Sequence, residues 1–360
     1  MRQLLRFSGC FALSLVVMIS WVAVCGGQGL EKSQGELEKS QADDQEQNRQ
    51  VVSLNNPTKE LKFSHARKET WQFGLQIDAS APVKGITATV PVPIDWPEQT
   101  LKILPVEKTA NVGRVSYKNP GRGVRQMVIK INSMRGGETA KVLFNVEVEK
   151  RIIVAPGETK HYSFAKKIPA DVRKFLRPSP YIESTNRKIV KMAKEIEMAE
   201  NATAWEQVET IYKFVREKIE YKFDTQIHTC LEAIEAGHGD CEELSSLFIA
   251  LCRARGIPAR AVWIPEHTYP EFYLADADGK GHWIPCQAAG SYQFGSMVEY
   301  RPVIQKGDNF RISGHKKPLR YVQPTLMAKD AAGPPSMKWI MNQVKSEAAD
   351  QSATDQSSDK

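Results

Sequence analysis

The sequence is poor in cysteine, and its apolar runs are short. Six cysteines in 360 residues are too few to build a disulfide scaffold. They show no Cys-x2-Cys spacing and the histidines no His-x3-His spacing, which argues against a structural zinc finger. Residues 11–24 are an uncharged, mostly apolar run of roughly 14 residues, whereas a spanning helix needs about 20. There is no phosphate-binding glycine loop, no dinucleotide fingerprint and no internal repeat. Charge of one sign is also lacking. With 49 basic and 42 acidic side chains the net is +7, spread over a mixed-sign surface, so no nucleic-acid partner is expected. The 41% hydrophobic and 25% charged shares are globular averages, which excludes a collagen, a wholly disordered chain and a polytopic membrane protein.

What is present is ordered along the chain. Arg2 and Arg6 precede the 11–24 run, and small residues follow at Ala23, Cys25, Gly26 and Gly27. This is the layout of an export signal, so residues 1–27 are read as a signal peptide, with a lipidated Cys25 as the alternative. Residues 28–57 are almost devoid of large apolar side chains and read as a disordered linker, as do residues 328–360. Between 58 and 152 the apolar period is two: Trp71, Phe73, Leu75 and Ile77; Ile86, Ala88 and Val90; Met127, Ile129 and Ile131; Val142, Phe144, Val146 and Val148. Short alternating strands separated by turn signals predict an all-β sandwich of immunoglobulin-like type. Pro91, Pro93 and Pro97 would suit an edge or a connection. From 153 to 327 the pattern becomes helical, then strand-like. Ile189 to Ile196 and Trp205 to Ile219 fit helices, the second started by a Thr203–Glu206 capping box. A third helix is predicted over 241–255, with Leu244, Leu247, Phe248 and Leu251 on one face and Gly256 and Pro258 as stops. Strands are predicted at 259–264, 271–275 and 282–286. Helices followed by a meander predict α+β.

Within this region one group of residues has chemical meaning. Gly239-Asp240-Cys241 delivers a thiol to the first turn of a helix, where unpaired N–H groups and the helix dipole favour negative charge and a lowered thiol pKa. His267 precedes a strand, and counting outward from the turn at 276–281 places Gln287 about opposite it. A thiol nucleophile needs a base, and the base an orienting group, so Cys241, His267 and Gln287 form the candidate trio. The Cys241 backbone N–H would serve a developing oxyanion, with Trp263 among the candidates for a second donor. Cys252 reads as core, Glu271 as structural, and a Cys230–Cys286 disulfide is left open by the sequence.

Residues from about 185 to 290 resemble the transglutaminase-like domain of the papain-type cysteine enzymes. The matching stretches are 204–221, Gly239-Asp240-Cys241, the helix end and turn at 251–260, residues 267–273 and residues 282–287. In that family the Cys is nucleophile, the His is base and an Asp follows the Trp–Pro strand. The resemblance therefore implies Cys241 as nucleophile and His267 as base, with Gln287 at the place of the Asp. Gln287 is the departure, since a neutral amide orients an imidazole without stabilising its cation. The 260–267 connection is also short for the family.

The expected protein is an α+β papain-like, transglutaminase-like core (153–327) behind an immunoglobulin-like sandwich (58–152). It is expected to be exported, with no membrane span in the mature chain. The expected activity is cysteine-dependent acyl transfer on protein or peptide amides, with hydrolysis favoured over crosslinking and no metal or cofactor. The alternative is an inert fold of the same type that binds peptides or proteins.

Overall fold

The structure, a computed structural model, describes residues 56–121, 123–312 and 315–344. The signal segment, Cys25 and nearly all of the 28–57 linker lie outside the described residues. The linker's last two residues are ordered structure: Asn56 is buried, and its side chain donates to the Glu60 and Ala155 carbonyls.

The first part of the chain forms six strands: β1 (Lys62–Asp78), β2 (Val83–Val92), β3 (Gln99–Lys108), β4 (Arg114–Gly121), β5 (Val124–Met134) and β6 (Thr139–Val154). Period-two apolar residues bury one face of each long strand, because successive side chains point to opposite sides of a sheet. Thus Phe73, Leu75 and Ile77 are buried while Gln72 and Gln76 are not, and Phe73 stacks on its register partner Phe144 with ring centroids 5.9 Å apart. β3 and β4 carry no clean alternation. β3 is interrupted by an irregularity between Ile103 and Val106, and β4 is largely exposed.

The chain comes back to these strands at its far end, contrary to the expectation of a disordered tail from residue 328. β13 (Thr325–Met327) and β14 (Asp330–Ala331) pair with β2, and β15 (Ser336–Val344) pairs with β1 over Thr70–Asp78. Two antiparallel sheets result, ordered β15-β1-β6-β3 and β13-β2-β5-β4, enclosing one apolar core. Met337, Trp339 and Met341 pack on that core at alternate positions, which is why the segment is a strand. Pro334-Pro335 and the polar stretch beyond Val344 concealed it in the composition. Residues 345–360 lie outside the described residues.

The intervening chain forms α1 (Ala170–Arg173), α2 (Arg187–Glu195), α3 (Ala204–Lys218), β7 (Glu220–Tyr221), α4 (Cys230–Ala236), β8 (His238–Gly239), α5 (Cys241–Ala254), β9 (Ala259–Ile264), β10 (His267–Ala275), β11 (Gly281–Pro285) and β12 (Gln305–Lys306). The sheet order is β11-β10-β9-β12, all antiparallel. The Thr203–Glu206 capping box starts α3 as the sequence indicates. α5 differs from its expected one-sided burial: every residue from Glu242 to Arg253 is buried, so it is the central helix of a second core. Its polar residues are paired there. Arg253 makes a two-pronged salt bridge to Asp308 (2.7 and 2.8 Å) and donates to the Arg177 and Ala259 carbonyls and to Ser179. Gln99 joins the two parts, exchanging hydrogen bonds with both backbone groups of Val303.

Candidate active site

Local chain chemistry explains why Cys241 begins a helix. Gly237, in the left-handed region at φ 73°, ends α4, and β8 then pairs in parallel with β7. A side chain at Gly239 would place its Cβ 2.6 Å from the Glu243 Cβ, so only glycine fits there. The Asp240 carboxylate caps α5 by accepting from Glu242 N (2.7 Å), and Glu243 returns the bond to Asp240 N (2.9 Å). The other Glu243 oxygen accepts from His228 N (2.8 Å). This Asp-x-x-Glu box was legible in the sequence, though it was not singled out there.

The thiol so placed is half-buried, and its sulfur receives the backbone N–H of Thr268. His267 is the neighbouring residue, at the first position of β10. A further bond, Ser245 Oγ to Thr268 O (3.3 Å), fixes α5 against the start of this strand. The imidazole Nε2 lies 2.9 Å from Gln287 Oε1. The β10–β11 ladder ends at Glu271↔Pro285, so the long glutamine side chain makes this contact from beyond the paired strand. An amide oxygen can only accept, which puts the proton on Nε2 and leaves Nδ1 as the basic nitrogen.

The electrostatics differ from the sequence-based expectation. The helix N-terminus does not yield a low thiol pKa. Burial pushes the Cys241 thiol up, the Asp240 charge adds to this, and Glu242 and Glu243 contribute in the same sense, with only the Thr268 N–H opposing. Burial also pushes His267 down to about 4; the nearby Arg301 charge adds to the effect, while Gln287 and Glu299 oppose it. Both groups are therefore neutral at neutral pH. Asp240 is itself pushed up to about 8, by burial first and then by its hydrogen bond to, and the charge of, Glu243.

Residues 190–288 match the sequence profile of the transglutaminase-like superfamily, a stretch that contains Cys241, His267 and Gln287. The chain contains a transglutaminase-like domain. A candidate cysteine protease from Cytophaga hutchinsonii has a similar fold, with a TM-score of 0.56 at 19% identity over 80% of this chain and 94% of that one. An uncharacterized protein of Haemophilus influenzae is 25% identical over 183 residues, which is 48% of each chain. The chain thus matches about half the length of that curated relative.

Around the transglutaminase-like site the fold gathers residues that carried no local sequence signal. Arg320, buried and drawn from the returning chain, donates to the Glu242 carboxylate (3.0 Å) and carbonyl (3.2 Å), partly offsetting the negative charge next to Cys241. Arg301 and Glu299 form a two-pronged pair whose charges act on His267. Glu271 is structural as expected, bound to Arg260 and Lys306. Cys230, Cys252 and Cys286 are buried free thiols, and the Cys230 thiol donates to the Tyr181 carbonyl.

Proposed function

We propose that this protein is a cysteine-dependent acyl-transfer enzyme acting on protein or peptide amides, with hydrolysis favoured over crosslinking. One observation carries the reading: a half-buried thiol at a helix start bonds to the Thr268 amide, and the adjacent His267 is oriented by Gln287 at 2.9 Å. In this mechanism Nδ1 of neutral His267 takes the thiol proton as Cys241 Sγ attacks the carbonyl carbon. The oxyanion forms near the Cys241 backbone N–H at the start of α5. The tetrahedral intermediate breaks its C–N bond, and the Nδ1 proton goes to the departing amine, leaving a thioester. Water then gives a proton to Nδ1, adds to the thioester and releases the acid and the thiol. A primary amine in place of water would give a new amide. Because both resting groups are neutral, the imidazole acts as a general base within the attack step.

We also propose that the protein works outside the cytoplasm, since residues 1–27 have the export-signal layout. Among the described residues no helix is long and apolar enough to cross a membrane. The two-sheet unit is proposed to be an immunoglobulin-like sandwich supporting the catalytic domain.

The test is mass spectrometry of N-terminally blocked peptide amides incubated with the protein, with and without a primary amine. Acid products that vanish with Cys241→Ser support hydrolysis, and amine adducts would support crosslinking. A second reading, an inert peptide-binding fold, is favoured by the upward-shifted thiol and the neutral Gln287. It predicts peptide binding with no product of either kind.

A further inference from the structure

His267 enters β10 from a two-residue turn made by Pro265 and Glu266, which joins β9 to β10. Pro265 fixes its own φ, and Glu266 sits at φ 59°, in the left-handed region that favours glycine. This turn fixes where the imidazole starts, and an outside side chain holds it. Arg301 Nη1 donates to the Pro265 carbonyl at 3.1 Å. Its Nε and Nη2 grip the two oxygens of Glu299 at 3.0 and 2.7 Å. The segment that carries the pair is itself anchored at both ends. Met297 exchanges backbone bonds with Ile153 of β6, and Ile304 N donates to Trp263 O of β9 (2.8 Å). The Glu299 side chain is 9% exposed and that of Arg301 is 37% exposed, so the carboxylate of the clamp is internal while the arginine is partly open to solvent.

We propose that Arg301, clamped by Glu299, is the positioning residue for His267. Its guanidinium pins the turn that delivers the imidazole and places a fixed positive charge beside it. The groups facing this charge are Cys241, Glu266, Glu299 and the imidazole itself, whose Nε2 is bonded to Gln287. A positive charge here disfavours imidazolium and favours the sulfur's negative charge as the thiol proton leaves, so it keeps His267 in the form that accepts a proton. The proposal deepens the hydrolase reading and rests on His267 being its base.

The experiment is an NMR titration of the His267 imidazole in the full-length protein carrying Arg301→Gln, Arg301→Lys or Glu299→Gln, alongside the pH profile of kcat/KM. Arg301→Gln is expected to raise the imidazole midpoint by about one pH unit and to move the acid limb of kcat/KM with it. Arg301→Lys keeps the charge, so its midpoint stays at the wild-type value while kcat falls through the lost grip on Pro265. Glu299→Gln removes a negative charge and shifts the midpoint the opposite way, and it remains a readout where Arg301→Gln does not fold. Unchanged midpoints in all folded variants, with melting temperature alone reduced, would overturn the proposal. The titration needs no turnover, so failure of the hydrolase reading would appear separately, as a shifted midpoint in a protein that forms no acid from peptide amides.

Discussion

Gln287 Oε1 accepts a hydrogen bond from His267 Nε2 at 2.9 Å, from a position two residues past the last paired residue of β11. The contact depends on the length of a glutamine side chain, so a carboxylate one methylene shorter is not an equivalent replacement. Gln287→Ala leaves the ring unoriented and is expected to lower kcat/KM about 100-fold, the contribution of a positioned general base. Gln287→Asp places a negative charge near the imidazole and is expected to move the acid limb up by about one pH unit. Steady-state pH profiles of both variants check this.

His267 should also set part of the acid sensitivity of the fold. Its pKa falls from 6.5 to about 4 on folding, so the unfolded chain binds the extra proton throughout that interval. Stability therefore declines as pH drops from 6.5 toward 4, by at most about 3 kcal/mol from this group. Urea denaturation of wild type and His267→Gln across that range should show the wild type losing more stability than the variant.

Asp240 raises the thiol pKa through its charge, while its cap holds the helix. Asn caps a helix as well as Asp, so Asp240→Asn keeps α5 and removes the charge. Alkylation of Cys241 should then be faster than in the wild type wherever Asp240 would be charged, and nearly equal to it at pH 6. The gap should widen above pH 8, where the Asp240 carboxyl ionises in the wild type. Rates by mass spectrometry at pH 6 and pH 9 test the sign.

The Arg253–Asp308 pair is fully buried, and both partners are also bonded to backbone. Removing one charge strands the other. Asp308→Asn is expected to destabilise the protein by about 3–5 kcal/mol, measured by chemical denaturation.

Much of this architecture was legible because it rests on local rules. The alternation of Trp71, Phe73, Leu75 and Ile77 marks a half-buried strand, and Thr203 with Glu206 marks a helix start. Cys241, His267 and Gln287 were named from spacing and family resemblance, and of that trio the structure pairs His267 with Gln287. The features that were missed are non-local. The short Met337, Trp339, Met341 alternation after Pro334-Pro335 gains its meaning only when β1 is there to pair with it. Arg301, Glu299 and Arg320 gain meaning only when the chain brings them to His267 and Glu242. The thiol pKa was misjudged because helix position is visible in sequence, whereas burial and the summed charge of Asp240, Glu242 and Glu243 are not.

The most direct test of a Cys241 nucleophile served by His267 is the rate of iodoacetamide labelling of native protein at pH 7, read residue by residue. Cys241 alone among the four described cysteines should label, the other three being buried, and His267→Ala should slow it by about tenfold or more. Equal Cys241 rates in wild type and His267→Ala would contradict the account.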